Sequence, residues 1–299
     1  SRIMRTMRAL LFQPGELPGA FKTGQTQRYV PAVRLYLFIS LFFFLILSAT
    51  GIALLQFEVI VTKDSKAASG GLVFASQMTE AERADIRRKA IEGKLSDDEI
   101  EKLLSKGVNV AAKTHFFSRL GTIRSSVPEV YRAQIAAFML GSEKKPAEST
   151  DRWVSERFAQ GMETIAREPA AVNGPLTAWI PRVLFLLLPL FALLLWLFYW
   201  RQRKQFLLVD HLVFSLTFHT FAFVILIAAA LSVQAWPSDA VGWAALIIVL
   251  TYFFFSMKWF YGQNYFWTSM KFVAVSLLYT LFFLLPALGV VIFMSMVEA

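Results

Sequence analysis

Of the 299 residues 56 % are apolar and only 17 % are charged, whereas a soluble domain has roughly 45–50 % and 25 %. That balance excludes a wholly soluble globular chain, and the absence of Cys excludes disulfides and thiolate metal sites within these residues. The net charge is +9, and where the charges fall along the chain says more than their sum.

Residues 1–34 carry Arg2, Arg5, Arg8, Lys22, Arg28 and Arg34 against one acid, Glu16. At 100° per residue Ile3, Met4, Met7, Leu10 and Leu11 share one side of a helix and the first three arginines the other. This is the pattern of an interfacial helix whose arginines meet anionic headgroups; packing of the same helix on the rest of the protein is the alternative. Pro14-Gly15 and Pro18-Gly19 end it. A chain that opens on Ser1 suggests a preceding piece, and no secretory signal is visible.

A first uncharged span follows, over 35–56 in round bounds, with its apolar run at Leu35–Leu55. The positive-inside rule puts the basic lead-in, 1–34, in the cytoplasm. Residues 57–177 differ in kind, with 18 Lys and Arg against 17 Asp and Glu, as suits an extracytoplasmic (periplasmic) domain. Weak alternation over Phe57–Thr62 and the run Leu72–Ala75 leave room for a short β-hairpin near 57–75. Capping boxes at Thr79–Glu82 and Ser96–Glu99 open helices that Gly93 and Gly107 close. Ser126 with Pro128 starts a third, closed by Gly141, and Thr150–Glu168 forms a fourth. Asp97, Asp98 and Glu99 read as first-turn acids, since their spacing is not that of an EF-hand.

Residues 178–299 hold four more spans: Val183–Trp200 with Pro189 inside, Phe206–Val233, Trp243–Met257, and Phe272–Met296 with Pro286 inside. Arg201, Arg203 and Lys204 follow the second, and the loop Lys258–Lys271 adds two positives and no acid. The fold class is therefore an all-α membrane protein of about five transmembrane helices with a mostly helical outer domain. The charge rule places it in a membrane with the N-terminus inside and the C-terminus outside. Arg2, Arg5, Arg8, Arg28, Arg34, Arg201, Arg203 and Lys204 are the expected headgroup contacts.

The third span carries the polar residues. Offsets of four put His211, Ser215 and His219 within an arc of about 80°, with Asp210 about 100° away. Ionisable groups inside a span are costly, which makes these four a candidate intramembrane site. They equally suit hydrogen bonds that fix the bundle. The two histidines lie about 12 Å apart along the axis at about 1.5 Å per residue, too far to chelate one ion. The other His, His115, lies in the outer domain, so no metal is expected. One helix cannot assemble a Ser-His-Asp triad. A second wall must come from elsewhere, with Tyr261, Gln263 and Tyr265 as candidates. Phe42–Phe44 and Phe253–Phe255 read as lipid-facing or packing residues. The aromatic and basic residues at 258–271 read as interface anchors rather than a nucleic-acid surface.

Three stretches together resemble family 3667 of domains of unknown function, bacterial polytopic membrane proteins. They are Arg5–Gly15 with Gly24 and Arg28–Tyr36, then Asp210–Phe221 with its acid-His pair and second His, then Tyr261-Gly262-Gln263. The resemblance implies a zinc ribbon ahead of the first motif, absent from these residues, and supplies no reaction. No cofactor is expected within this chain. The expected function is binding or moving a lipid or small amphiphile, or scaffolding a membrane complex with a protein partner or a second copy. The rival is a membrane-embedded enzyme with His211 or His219 as general base.

Overall fold

The computed structural model describes residues 1–25, 27–62, 72–75, 109–119, 173–236 and 239–298, and the single positions 84, 87, 88 and 91. The chain divides into two compact units, Ser1–Ile52 with Ile180–Val290 and Ala53–Trp179 with Val291–Ala299. The elements in order are α1 (Arg2–Phe12), α2 (Glu16–Lys22), α3 (Ala32–Thr50), β1 (Ile52–Thr62), β2 (Leu72–Ala75) and β3 (Asn109–Arg119). They continue with α4 (Asn173–Phe198), α5 (Leu208–Ala235), α6 (Asp239–Tyr261), α7 (Tyr265–Tyr279) and α8 (Leu285–Glu298). A π-helical turn, Thr280–Leu284, joins α7 to α8.

Among the described residues five helical stretches are long and apolar enough to cross a bilayer: Ala32–Thr50, Ala178–Phe198, Leu208–Ala235, Ala240–Tyr261 and Tyr265–Ser295. This is the multi-pass helical membrane protein that composition demanded. The third stretch, in α5, is central, with 56 % of its most apolar part buried against 33 % or less in the others.

The span ends differ from those read in the sequence, because loss of hydrophobicity marks the membrane edge and not the end of a helix. The first span stops at Thr50, where Gly51 takes φ +63° and caps it, so that Ile52–Leu55 belong to β1. The fourth runs on through Lys258 to Tyr261, and the fifth begins at Tyr265. The loop expected over 258–271 shrinks to Gly262 (φ +66°), Gln263 and Asn264, whose side chain accepts from Trp267 N at 3.0 Å. Lys271 consequently lies inside a spanning helix. The π-helical turn comes just before Pro286, where a ring without an N–H crowds the preceding turn.

In the second unit the two strands foreseen near 57–75 are present, but they do not form a hairpin with each other. The sheet order is β1-β3-β2, and β2 runs antiparallel to β3 with Leu72 opposite Ala112 and Ala75 opposite Asn109. β3 was not foreseen. Ala84, Arg87, Arg88 and Ile91, inside the helix expected over 79–93, are helical. The helices expected at 96–107, 126–141 and 150–168, and the first-turn acids Asp97, Asp98 and Glu99, lie outside the described residues.

In the first unit, α1 and α2 fold back on the spanning helices. α1 buries Thr6, and its Ala9 and Leu10 join a cluster with Leu17, Tyr29, Leu35, Phe221 and Tyr252, while Ile3, Met4 and Phe12 stay exposed. The helix therefore packs on the protein by one face and keeps an apolar flank outward. Thr6 Oγ1 donates to Arg2 O (2.9 Å) and accepts from Val30 N (3.0 Å). Arg2 donates to Gln27 O, and Tyr29 Oη donates to Glu16 Oε1 at 2.9 Å. Burial, and after it the Glu16 bond, raise the Tyr29 hydroxyl above its ordinary pKa, so it remains a donor.

The turn between α1 and α2 decides the docking. Gly15 sits at φ +83°, and a Cβ there would lie 3.2 Å from both Phe260 N and Ser256 O, backbone atoms of the last turns of α6. Only glycine meets both demands. We expect Gly15→Ala to destabilise the protein by about 1–3 kcal/mol, lowering the thermal midpoint in detergent; an unchanged midpoint would show the fit to be dispensable.

Candidate functional site

The sequence grouped Asp210, His211, Ser215 and His219 as one polar face, and the structure gives them different tasks. Asp210 is a cap: its Oδ2 accepts from Leu207 N at 2.8 Å at the start of α5. Ser215 Oγ donates to Leu188 O at 2.8 Å, tying α5 to α4 one residue before Pro189. His219 Nδ1 donates to Ser215 O at 2.8 Å in its own helix, and its ring stands edge-on to Phe191 and Phe218. Thr217 and Thr220 donate to Val213 O and Leu216 O. All of these bonds satisfy buried polar atoms in a place where lipid offers no partner.

His211 is the exception. It is fully buried, and its Nδ1 lies 2.7 Å from Tyr261 Oη at the end of α6. Its Nε2 is buried with no hydrogen-bond partner. In the Nε2–H tautomer the Tyr261 hydroxyl donates to Nδ1 and Nε2–H is left as an unused donor. Phe206, Phe214, Phe260 and Tyr261 belong to one buried cluster around this end of α5. Tyr261 stacks on Tyr199 with centroids 3.6 Å apart and planes 13° from parallel. Tyr199, 1 % exposed, likewise has a buried hydroxyl without a partner.

Cations rest on the rings of this cluster. Lys271 Nζ lies 3.7 Å from the Tyr199 centroid, and Lys22 Nζ lies 3.4 Å from that of Phe206. These contacts also show that the end of α4, the start of α5, the end of α6, the second turn of α7 and the α1–α2 segment meet at one end of the first unit. Arg5, Arg8, Arg34, Arg201, Arg203 and Lys204 are exposed. Arg28 bonds Gln25 and lies 3.9 Å from Glu16, and Arg203 covers the Trp200 ring.

Of the proposed second wall, Tyr261 alone reaches His211. Tyr265 is 62 % exposed beneath Lys258 Nζ at 4.8 Å. Gln263 keeps a buried Oε1 without a partner. Tyr199, Lys22 and Lys271 were not singled out in the sequence. The available signals were the unspent aromatic-basic pairs Tyr199–Arg201 and Trp267–Lys271, which read equally well as interface anchors. Among the described residues no three His, Cys, Asp or Glu side chains come together.

Residues 1–44 match the family described as Protein of unknown function (DUF3667). The DUF3667 segment spans α1, α2 and most of α3, and so includes the Gly15 turn and the Lys22 cation. The stretches Asp210–Phe221 and Tyr261–Gln263, which carry the rest of the resemblance, fall outside the matched residues. The helices that carry or lead into them nevertheless pack on the matched segment, since α2 and α3 lie against α5, and Gly15 against Ser256 and Phe260 of α6. No curated protein and no solved structure matches the chain.

A double-mutant cycle tests the central pair. His211→Phe and Tyr261→Phe each strand one buried polar atom, so each should lower detergent-state stability by about 1–3 kcal/mol, with the double variant recovering about 1 kcal/mol of the summed loss. Strict additivity would mean that the 2.7 Å contact contributes nothing.

Proposed function

We propose that this is a bacterial inner-membrane protein that binds or moves a lipid or small amphiphile at the cytoplasmic headgroup layer. The observation that carries the reading is His211. One ring nitrogen is fixed by Tyr261, the other is left buried and unpaired, and the pair sits at the basic end of the bundle. Buried polar atoms without a protein partner are rare and mark places where a ligand or water belongs. Two surface features support a lipid as the ligand. An open groove along α3 is lined by Pro31, Val33, Leu37, Phe38 and Leu41 with Arg34 at its basic end, and α1 shows Ile3, Met4 and Phe12 beside exposed Arg5 and Arg8.

The charge distribution favours an N-terminus in the cytoplasm and residues 57–177 on the far side. Because the chain has no Cys, single cysteines can report this without background. In intact cells a membrane-impermeant maleimide should label Thr150→Cys and spare Gln205→Cys; the opposite pattern would invert the topology.

For binding itself, the protein is extracted with its native lipids and the retained amphiphiles are identified by mass spectrometry. The wild type should carry an enriched species that His211→Phe loses while its folded yield stays within about twofold of wild type. Identical lipid complements in the two proteins would sink the reading. A stoichiometric protein partner retained by both proteins would favour a scaffold.

The 2.7 Å approach of Tyr261 to His211 favours one second reading, a membrane-embedded enzyme with His211 as general base. Incubation with native lipid extract would then yield a new product, lost in both His211→Gln and Tyr261→Phe.

A further inference from the structure

We infer that Lys271 and the Tyr199 hydroxyl form a site for a phosphate group at the basic end of the bundle, an inference that rests on, and narrows, the lipid-handling reading. Lys271 lies six residues after the first residue of α7, about 9 Å along the helix at about 1.5 Å per residue. It is half-buried within a spanning stretch. A half-buried cation near the end of such a stretch favours a counter-charge. The first unit contains twelve Lys and Arg but only three acids, Glu16, Asp210 and Asp239.

None of the three serves Lys271. Glu16 accepts from Tyr29 and pairs with Arg28, Asp210 caps α5, and Asp239 begins α6 at the opposite end of that helix from Tyr261. Among the described residues no ion pair involves Lys271. Its contact with the Tyr199 ring orients the ammonium but leaves its charge in place. The anion must come from outside the unit.

The second observation is independent of charge. Tyr199 Oη and His211 Nε2 are buried without a partner among the described residues, on rings 6.1 Å apart, and the ring of Tyr199 is the one beneath Lys271; with Tyr261 donating to Nδ1, the His211 Nε2–H is a donor too. An ammonium, a phenol hydroxyl and an imidazole N–H are all donors, and the carboxylate at this end of α5, Asp210, is engaged by Leu207 N. Phosphate oxygens accept from each of the three. A phosphate can arrive on a lipid or free in solution, and the test separates these sources.

Delipidated protein in neutral detergent is titrated with phosphatidylglycerol, with phosphatidylcholine and, separately, with inorganic phosphate, and occupancy is read by native mass spectrometry. Phosphatidylglycerol should bind the wild type at least about fivefold more tightly than Lys271→Gln, as expected for one lysine at an anionic surface. Lys271→Arg should restore binding, and Tyr199→Phe should weaken it with Lys271 intact. If inorganic phosphate shows this dependence and the lipid does not, the phosphate site stands and the lipid reading falls. If lipid binds equally to the wild type, Lys271→Gln and Tyr199→Phe, the phosphate site is overturned while lipid handling survives. If nothing binds the wild type, both fall. Because Tyr199→Phe keeps the ring under the ammonium, it remains informative should Lys271→Gln fail to fold.

Discussion

A polar group inside a bilayer must find its partner within the protein, and this constraint organises the first unit. α5 brings an acid, two histidines, a serine and two buried threonines into the bundle. Lipid solvates none of them, so each needs a local answer. Four of the answers lie in the backbone of α5 itself: Asp210 on Leu207 N, Thr217 on Val213 O, His219 on Ser215 O and Thr220 on Leu216 O. Ser215 reaches α4, and only His211 meets a side chain of another helix. The residues farther along α5 are thus self-contained, and the incomplete bonding collects at one end.

The aromatic residues follow from the same constraint. A ring face orients an ammonium near the membrane edge, and the rings in turn pack as bulk. Phe221 stacks on Tyr252 at 3.5 Å and Phe43 on Phe223 at 4.9 Å, fixing α5 to α6 and α3 to α5. Where Tyr199 stacks on Tyr261 the Tyr199 hydroxyl is left without a partner, and there packing and recognition compete for the same atoms.

The five spans were legible in the sequence because transfer into lipid depends on local composition, which one sequence displays in full. Helix ends were less so. Lys258, Trp259, Phe260 and Tyr261 look like a loop in hydropathy, yet their backbone bonds continue α6 until Gly262 turns left-handed. The later part of β1 could be read from weak alternation and β2 from a short apolar run, but their common partner β3, Asn109–Arg119, could not, since pairing depends on residues far apart in the chain. Among site residues, Tyr261 was accessible as a candidate because it stands beside a turn that the polar end of α5 had to face. Tyr199 and Lys271 were not, since a single sequence shows which residues edge a membrane but not which edges touch. The role of Asp210 was legible only as an acid near the start of a helix, and that start is where it is used.

The close fit of Gly15 against α6 also says something about how the molecule is made. The turn leaves the ribosome well before α6, and Ser256 and Phe260 follow only after three intervening spans have been synthesised. Until then the Gly15 turn has no α6 backbone to settle on, and the exposed Ile3 and Met4 of α1 face outward beside its arginines. Closure of the amino-terminal segment is therefore a late event in biogenesis, and a chain interrupted before the fourth span would be distinguishable from a finished one by its unlatched beginning.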